Sequence, residues 1–316
     1  MNRRDFIKAG AAAAAVGALT GPAVLKAAER KIGRKTGEEY SSETGEAGKG
    51  DLLVRFLGTG AADWDGVDER GERRRYSSIL IDNRILIDFT PSDEDMLPKR
   101  KPDAVFYTHS HRDHYNAQVA IGTLGAEAIY LSDSWLSRAK ADFTKAASEL
   151  GKPLPKVTGI SVGEAIRCGD ITVTALPGNH STSDASEQAL IYLIEKGSVR
   201  LLYATDTGGI TSRAARIAGI DAHVPDGKPI TGLIMEATMG IDHDEDFRIY
   251  THSSVGTVLR TAHVLQATGR LKAPSGQPVY LTHLARTLNG TQAQLDSQLP
   301  PPLRAAYDGL EVTFRA

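Results

Sequence analysis

From Asp51 onward, short apolar runs bounded by turn residues alternate with segments in which apolar residues recur at helical spacing. Runs rich in β-branched and aromatic residues predict strands at 52–57, 104–107, 165–167, 171–176, 189–194, 201–204, 230–237 and 278–281. Residues 78–88 read as a hairpin turning at Asp82-Asn83, and 305–314 as a closing turn and strand. Helices are predicted at 117–124, 134–150, 212–218 and 255–268, the second stopped by Gly151-Lys152-Pro153. This rhythm predicts an α/β fold. Gly58-Thr59-Gly60 after the first strand is a turn where backbone can approach a ligand or another strand closely.

The chemistry concentrates in Thr108-His109-Ser110-His111-Arg112-Asp113-His114, which begins where the strand 104–107 ends. Three imidazoles and a carboxylate in so short a stretch suit a cation, and the C-terminal edge of strands is where open α/β sheets bind ligands. Four such donors can serve two adjacent ions. Asp206 and His283 also follow strand-like runs, and His180 lies in a loop between two strands.

The pattern His109-x-His111-x-Asp113-His114 resembles the signature of the metallo-β-lactamase superfamily. The resemblance implies an αββα sandwich in which His109 and His111 bind a first metal and Asp113 with His114 a second. His180, Asp206 and His283 take the later ligand positions. Classical β-lactamases carry a cysteine where this chain has Asp206, and Cys168 precedes His180, so lactamase activity is disfavoured. An aspartate bridging both ions belongs to the phosphodiesterase and thioesterase branches. Glu236 at a strand end, and His252 in Thr251-His252-Ser253 before a helix, resemble the acid pair of transfer-RNA 3′-processing phosphodiesterases. The layout of the whole domain resembles the cyclic-ribose-phosphate phosphodiesterases associated with carbon-phosphorus lyase. Unlike those, residues 61–75 contain no cysteine, so no structural zinc is expected.

Asn2-Arg3-Arg4-Asp5-Phe6-Ile7-Lys8 and the weakly apolar Ala/Gly stretch after it resemble a twin-arginine export signal. Residues 1–28 are therefore expected to be removed, 29–50 to form a flexible linker, and 51–316 to form the catalytic domain, delivered folded to the periplasm by the twin-arginine machinery. The signal is too poor in Leu and Ile, and too broken by Gly17, Gly21 and Pro22, for a stable membrane anchor. The formal charge of −2 drops to about −5 without residues 1–28, which disfavours a nucleic-acid partner. The lone Cys168 excludes an intrachain disulfide. A homodimer is suggested only by analogy with the superfamily.

These readings converge on a dinuclear hydrolase holding two divalent ions, zinc by default with manganese fitting nearly as well. A hydroxide bridging the ions would attack a small anionic phosphodiester, with Asp113 holding the second ion, His252 as general acid, and Glu236 orienting it. Hydrolysis of a lactone or thioester on the same site is the alternative. Mononuclear iron chemistry and a non-catalytic metal-binding role are further ones. Arg73, Arg74 and Arg75 form either a solvated charge run or an anion clamp at the site's mouth.

Overall fold

The computed structural model describes residues 48–97 and 100–316. The signal segment 1–28 and nearly all of the linker 29–50 lie outside the described residues. The first half contributes β1 (Leu52–Gly58), β2 (Ser78–Ile81), β3 (Ile85–Ile87), β4 (Ala104–Phe106), α1 (Ala117–Gly122), β5 (Ala128–Ser132), α2 (Leu136–Leu150) and β6 (Lys156–Ile160). The second contributes β7 (Ala165–Cys168), β8 (Ile171–Pro177), β9 (Leu190–Lys196), β10 (Val199–Ala204), α3 (Ser212–Ile217) and β11 (Gly232–Glu236). It continues with α4 (Val255–Ala267), β12 (Val279–Thr282), α5 (Gln292–Gln298), β13 (Leu303–Ala305) and β14 (Glu311–Phe314).

The strands form two seven-stranded sheets, ordered β14-β1-β2-β3-β4-β5-β6 and β13-β12-β11-β10-β9-β8-β7. Strands β3 to β6 run parallel, as do β10 to β13, and the remaining pairs are antiparallel. Alternate residues of both sheets meet in a central core that includes Val54, Phe56, Phe106, Tyr192, Tyr203, Ile234, Tyr280 and Phe314. The opposite face of the first sheet packs Val105 and Ile129 against Ile121 of α1 and Phe143 of α2. Leu202, Met235 and Leu281 of the second sheet pack against Ala214 of α3, Val258 of α4 and Leu295 of α5. The layers are thus αββα, as expected. Burial on both faces explains why the central strands read as continuous apolar runs.

Local signals behave as their chemistry dictates. Asp82 and Asn83 turn the β2–β3 hairpin with φ of 47° and 54°, the left-handed pair that a tight hairpin requires. Gly151 caps α2 with φ 60°. A Cβ on Gly58 would stand 1.8 Å from the Tyr76 carbonyl oxygen, so this turn serves close approach of backbone to backbone. Strands β5, β6 and β13 and helix α5 were not foreseen. β6 is an edge strand whose first four residues are at least partly exposed, so it lacks a buried pattern. Among the described residues, no helix is long and apolar enough to cross a membrane.

Candidate metal centre

Thr108 leaves β4 beside the residue that follows β3, Asp88, which accepts from Thr108 N at 2.8 Å and Thr108 Oγ1 at 2.8 Å. This turn throws the next six side chains over the edge of the sheet. His109 Nε2 comes within 2.9 Å of His111 Nδ1, which stands 3.2 Å from His180 Nε2 in the β8–β9 loop. Asp206 Oδ2, just past β10, lies 3.2 Å from His109 Nε2 and 3.7 Å from His180 Nε2. The same oxygen lies 3.0 Å from His114 Nε2. His114 Nε2 is 3.3 Å from Asp113 Oδ2 and 3.2 Å from His283 Nε2, and that nitrogen is 3.4 Å from Asp113 Oδ2.

Three donor groups meet at one carboxylate: His109, His111, His180 and Asp206; Asp113, His114, Asp206 and His283; and a third that joins Asp206 and His283 to Glu236 and His252. Donors around a tetrahedral ion bound at about 2.0–2.1 Å stand roughly 3.3 Å apart. The observed spacings match that value, and several are nitrogen-to-nitrogen, where a shared cation is the natural partner. Asp206 Oδ1 is buried without an aligned hydrogen-bond donor, although His252 Nδ1 lies 3.2 Å from it. The donor chemistry and this orphaned oxygen both fit divalent ions.

Electrostatics prepares these groups. Burial, reinforced by His114, drives His109 down to about 3, so its ring is neutral and ready to donate a lone pair. Burial likewise lowers His111, with His180 adding to the effect. His114 behaves oppositely: burial opposes its charge, but Asp113 and Asp88 outweigh that and hold it well above the ordinary histidine range. Burial also opposes the charge of Asp206, yet the surrounding imidazoles hold its carboxyl well below the usual range.

The supporting contacts are as ordered as the donors. His114 Nδ1 donates to Asp88 Oδ2 at 2.7 Å, His180 Nδ1 to the Thr251 carbonyl at 3.3 Å, and His283 Nδ1 meets Thr238 Oγ1 at 2.8 Å. Glu187 accepts from Ser110 N, Ser110 Oγ and Arg138, each at 2.7 Å, which ties the His109–His111 segment to the loop carrying His180. Asp88, Asp206 and His283 have φ of 58°, 48° and 53°. Left-handed backbone at three strand ends of one site is the placement expected of functional strain. Asp88, Glu187 and Thr238 were missed from sequence. A search for carboxylates directly after strands would have found Asp88, whereas Glu187 gave no signal.

Glu236 ends β11 fully buried, accepting from Thr207 N at 2.5 Å, Thr238 N at 3.2 Å and the Thr238 hydroxyl. His252 Nδ1 reaches Glu236 Oε1 at 3.2 Å. Burial would lower His252, but the Glu236 and Asp206 carboxylates beside it, with the hydrogen bond to Glu236, push it up to about 11, which favours its protonated form. The arginine run turns away from this chemistry. Arg74 is buried, donating to Thr59 Oγ1 at 2.7 Å and the Ala306 carbonyl at 2.8 Å, and Arg75 pairs with Asp95 and Asp308. Two of the three arginines thus knit loops together instead of clamping an anion. His223, His243 and His263 join no donor cluster among the described residues.

The family model described as a β-lactamase superfamily domain matches residues 83–284, and a twin-arginine translocation signal model matches residues 1–20. A UPF0173 protein of Pyrococcus furiosus is 37% identical over 136 residues, 42% of this chain and 57% of that protein. The chain therefore spans little more than half the length of that relative. Among solved structures, a diphosphatase of the PhnP family superposes with a TM-score of 0.58 at 21% identity, covering 84% of this chain and 97% of the other. The human short-form tRNase Z gives 0.58 at 14% identity, covering 84% and 100%. At these identities the structural likeness speaks for the fold, while the family match speaks for descent. On that match the chain belongs to the metallo-β-lactamase superfamily, and it carries a twin-arginine signal sequence.

Proposed function

We propose that this protein is a dinuclear phosphodiesterase working in the periplasm. The observation that carries the proposal is the placement of Asp206 Oδ2 within 3.0–3.7 Å of His109, His114 and His180 donors, so that one carboxylate serves both the His109 and the His114 donor sets. His109, His111 and His180 would hold one ion and Asp113, His114 and His283 the other, with Asp206 shared. Imidazole with carboxylate suits zinc, and manganese nearly as well. Two such ions lower the pKa of bound water and polarise a phosphoryl oxygen.

The chain's own groups supply the rest. His252 Nδ1 is held against Glu236 Oε1, so the ring donates its Nε2 proton to the departing alkoxide oxygen. Glu236 keeps that imidazole charged and fixes its ring, and is itself locked by Thr207 and Thr238. An alkoxide leaving group needs such an acid, whereas a thioester's thiolate does not. The pair therefore favours a substrate that expels an alkoxide, as a phosphodiester does, over a thioester. A diphosphatase and a tRNase stand among the structurally similar proteins, which supports phosphoryl chemistry. The mature chain would begin near residue 29 and fold from residue 51, and its acidic balance disfavours nucleic acid as a partner.

His252→Ala tests the assignment. Turnover of bis(p-nitrophenyl) phosphate has a good leaving group and should fall modestly. An alkyl-leaving diester should fall by about 10²-fold or more, as expected on losing a general acid. Equal small losses on both, with a thioester cleaved faster than either, would move the assignment to thioester hydrolysis.

A further inference from the structure

Phe247 and Tyr250 are 79% and 77% exposed, the two most exposed large apolar side chains among the described residues. They occupy the first and last positions of the 3₁₀ turn Phe247–Tyr250. Residues three apart in such a turn eclipse one another, so the two rings share one face. The turn is bolted to the metal centre. Asn179 Nδ2 donates to the Tyr250 carbonyl at 2.9 Å and to the Gly208 carbonyl at 3.0 Å, joining the His180 and Asp206 loops to the turn. Gly208 passes so close that an added Cβ would stand 2.7 Å from the Tyr250 oxygen. The next residue's carbonyl orients His180, and the one after that is His252, whose N donates to the Arg248 carbonyl at 2.8 Å.

Charge does not explain this face. Arg248 is matched by Asp246 at 2.6 Å, and Asp246 also caps the turn by accepting from Arg248 N at 2.9 Å. The guanidinium carbon of Arg248 sits 6.0 Å from the centre of the Phe247 ring. What remains is a pair of exposed rings on a backbone turn that is tied to the site, and exposing them to water has a cost that a bound partner would remove.

We propose that Phe247 and Tyr250 seat an aromatic ring on the leaving group of the substrate. The inference rests on the phosphodiesterase reading in one respect, that His252 protonates the leaving oxygen. Whatever carries that oxygen departs past the residues that lead into His252. The enzyme therefore prefers esters whose leaving alcohol bears an aromatic ring over those with small aliphatic alcohols, by stacking and apolar contact.

The test compares phenylphosphonate with methylphosphonate as ligands of the intact, metal-loaded protein, by inhibition and by calorimetry. Both present the same oxygens to the metals, and only one carries a ring. Phenylphosphonate should bind about tenfold more tightly, the size of one aromatic contact. In Phe247→Ser/Tyr250→Ser that ratio should fall to near one, while Tyr250→Phe should keep it. A ratio near one in the native protein, or a ratio that survives the double substitution, would overturn the proposal. Conversion of a dimer to a monomer by the double substitution, seen in sedimentation, would also overturn it by assigning the face to contact between copies. If no phosphodiester is turned over at all, the phosphodiesterase reading fails, while the calorimetric ratio still decides the aromatic seat separately.

Discussion

Asp88 and His114 are both fully buried, and His114 Nδ1 donates to Asp88 Oδ2 at 2.7 Å, which leaves Nε2 of the same ring facing Asp113, Asp206 and His283. The carboxylate sets both the tautomer and the orientation of the ring. Asp88→Ala should therefore weaken the second ion about 10–100-fold, as removal of such supporting carboxylates does elsewhere. Competition with a chromogenic chelator checks this. Two unchanged affinities would show that Asp88 only fills space.

Glu187 has the corresponding position for the first ion. Its side chain is fully buried, and Glu187→Ala would leave Ser110 N and Arg138 without their acceptor. Arg138 stays solvated, so we expect a loss of about 1–3 kcal/mol in unfolding free energy, the range for a buried hydrogen-bonding group stripped of its partner. The His109–His111 ion should be lost before the other. Glu187→Gln, which can still accept from Ser110 N, should retain more of both. Denaturant melts with metal analysis read the two effects together.

Metal uptake should depend on pH in a definite direction. Without ions, Asp113 and Asp88 keep His114 protonated well above the ordinary histidine range, despite the opposing effect of burial. An incoming ion must displace that proton, so affinity at this site rises with pH, with about one proton released per ion bound. Calorimetry in buffers of different ionisation enthalpy measures the release directly. Binding with no proton release would contradict the assignment of His114 Nε2 as a donor.

Asp93 offers a separate pH prediction. It is buried in the capping box at Thr90, and burial pushes its carboxyl from 3.8 up to about 7 against the hydrogen bonds from Thr90 and Ser92. The folded state thus holds a proton that the unfolded state has released. Its stabilising share is complete below the unfolded value, and it declines as pH rises through about 7. Asp93→Asn removes this dependence. Between pH 5 and 8 the variant should gain about 2–3 kcal/mol on the native protein. A constant difference across that range would contradict the burial argument.

How much of this was readable in the sequence follows from what each residue depends on. The cluster from His109 to His114 is local, and Asp206 and His283 follow apolar runs, so strand-end logic finds them without tertiary knowledge. The core between the sheets and the one beneath α3, α4 and α5 were equally visible, because strands buried on both faces advertise themselves. Edge strand β6 did not, since exposure erases the pattern. Arg74 and Arg75 looked like surface charge, and only the chain's return at Ala306 and Asp308 shows them turned inward. Glu187 lies 77 residues from Ser110, a contact that no local rule could foresee.

The central claim is that two ions share Asp206 and hydrolyse a phosphodiester. Metal content of the purified mature protein, measured on the same sample as turnover of bis(p-nitrophenyl) phosphate, a lactone and a thioester, tests it most directly. The account predicts two zinc or manganese ions per chain, with phosphodiester turnover that chelation abolishes and either metal restores. A single iron per chain with no hydrolysis of any ester would contradict it, and would leave Asp113 and His114 without a second ion to hold.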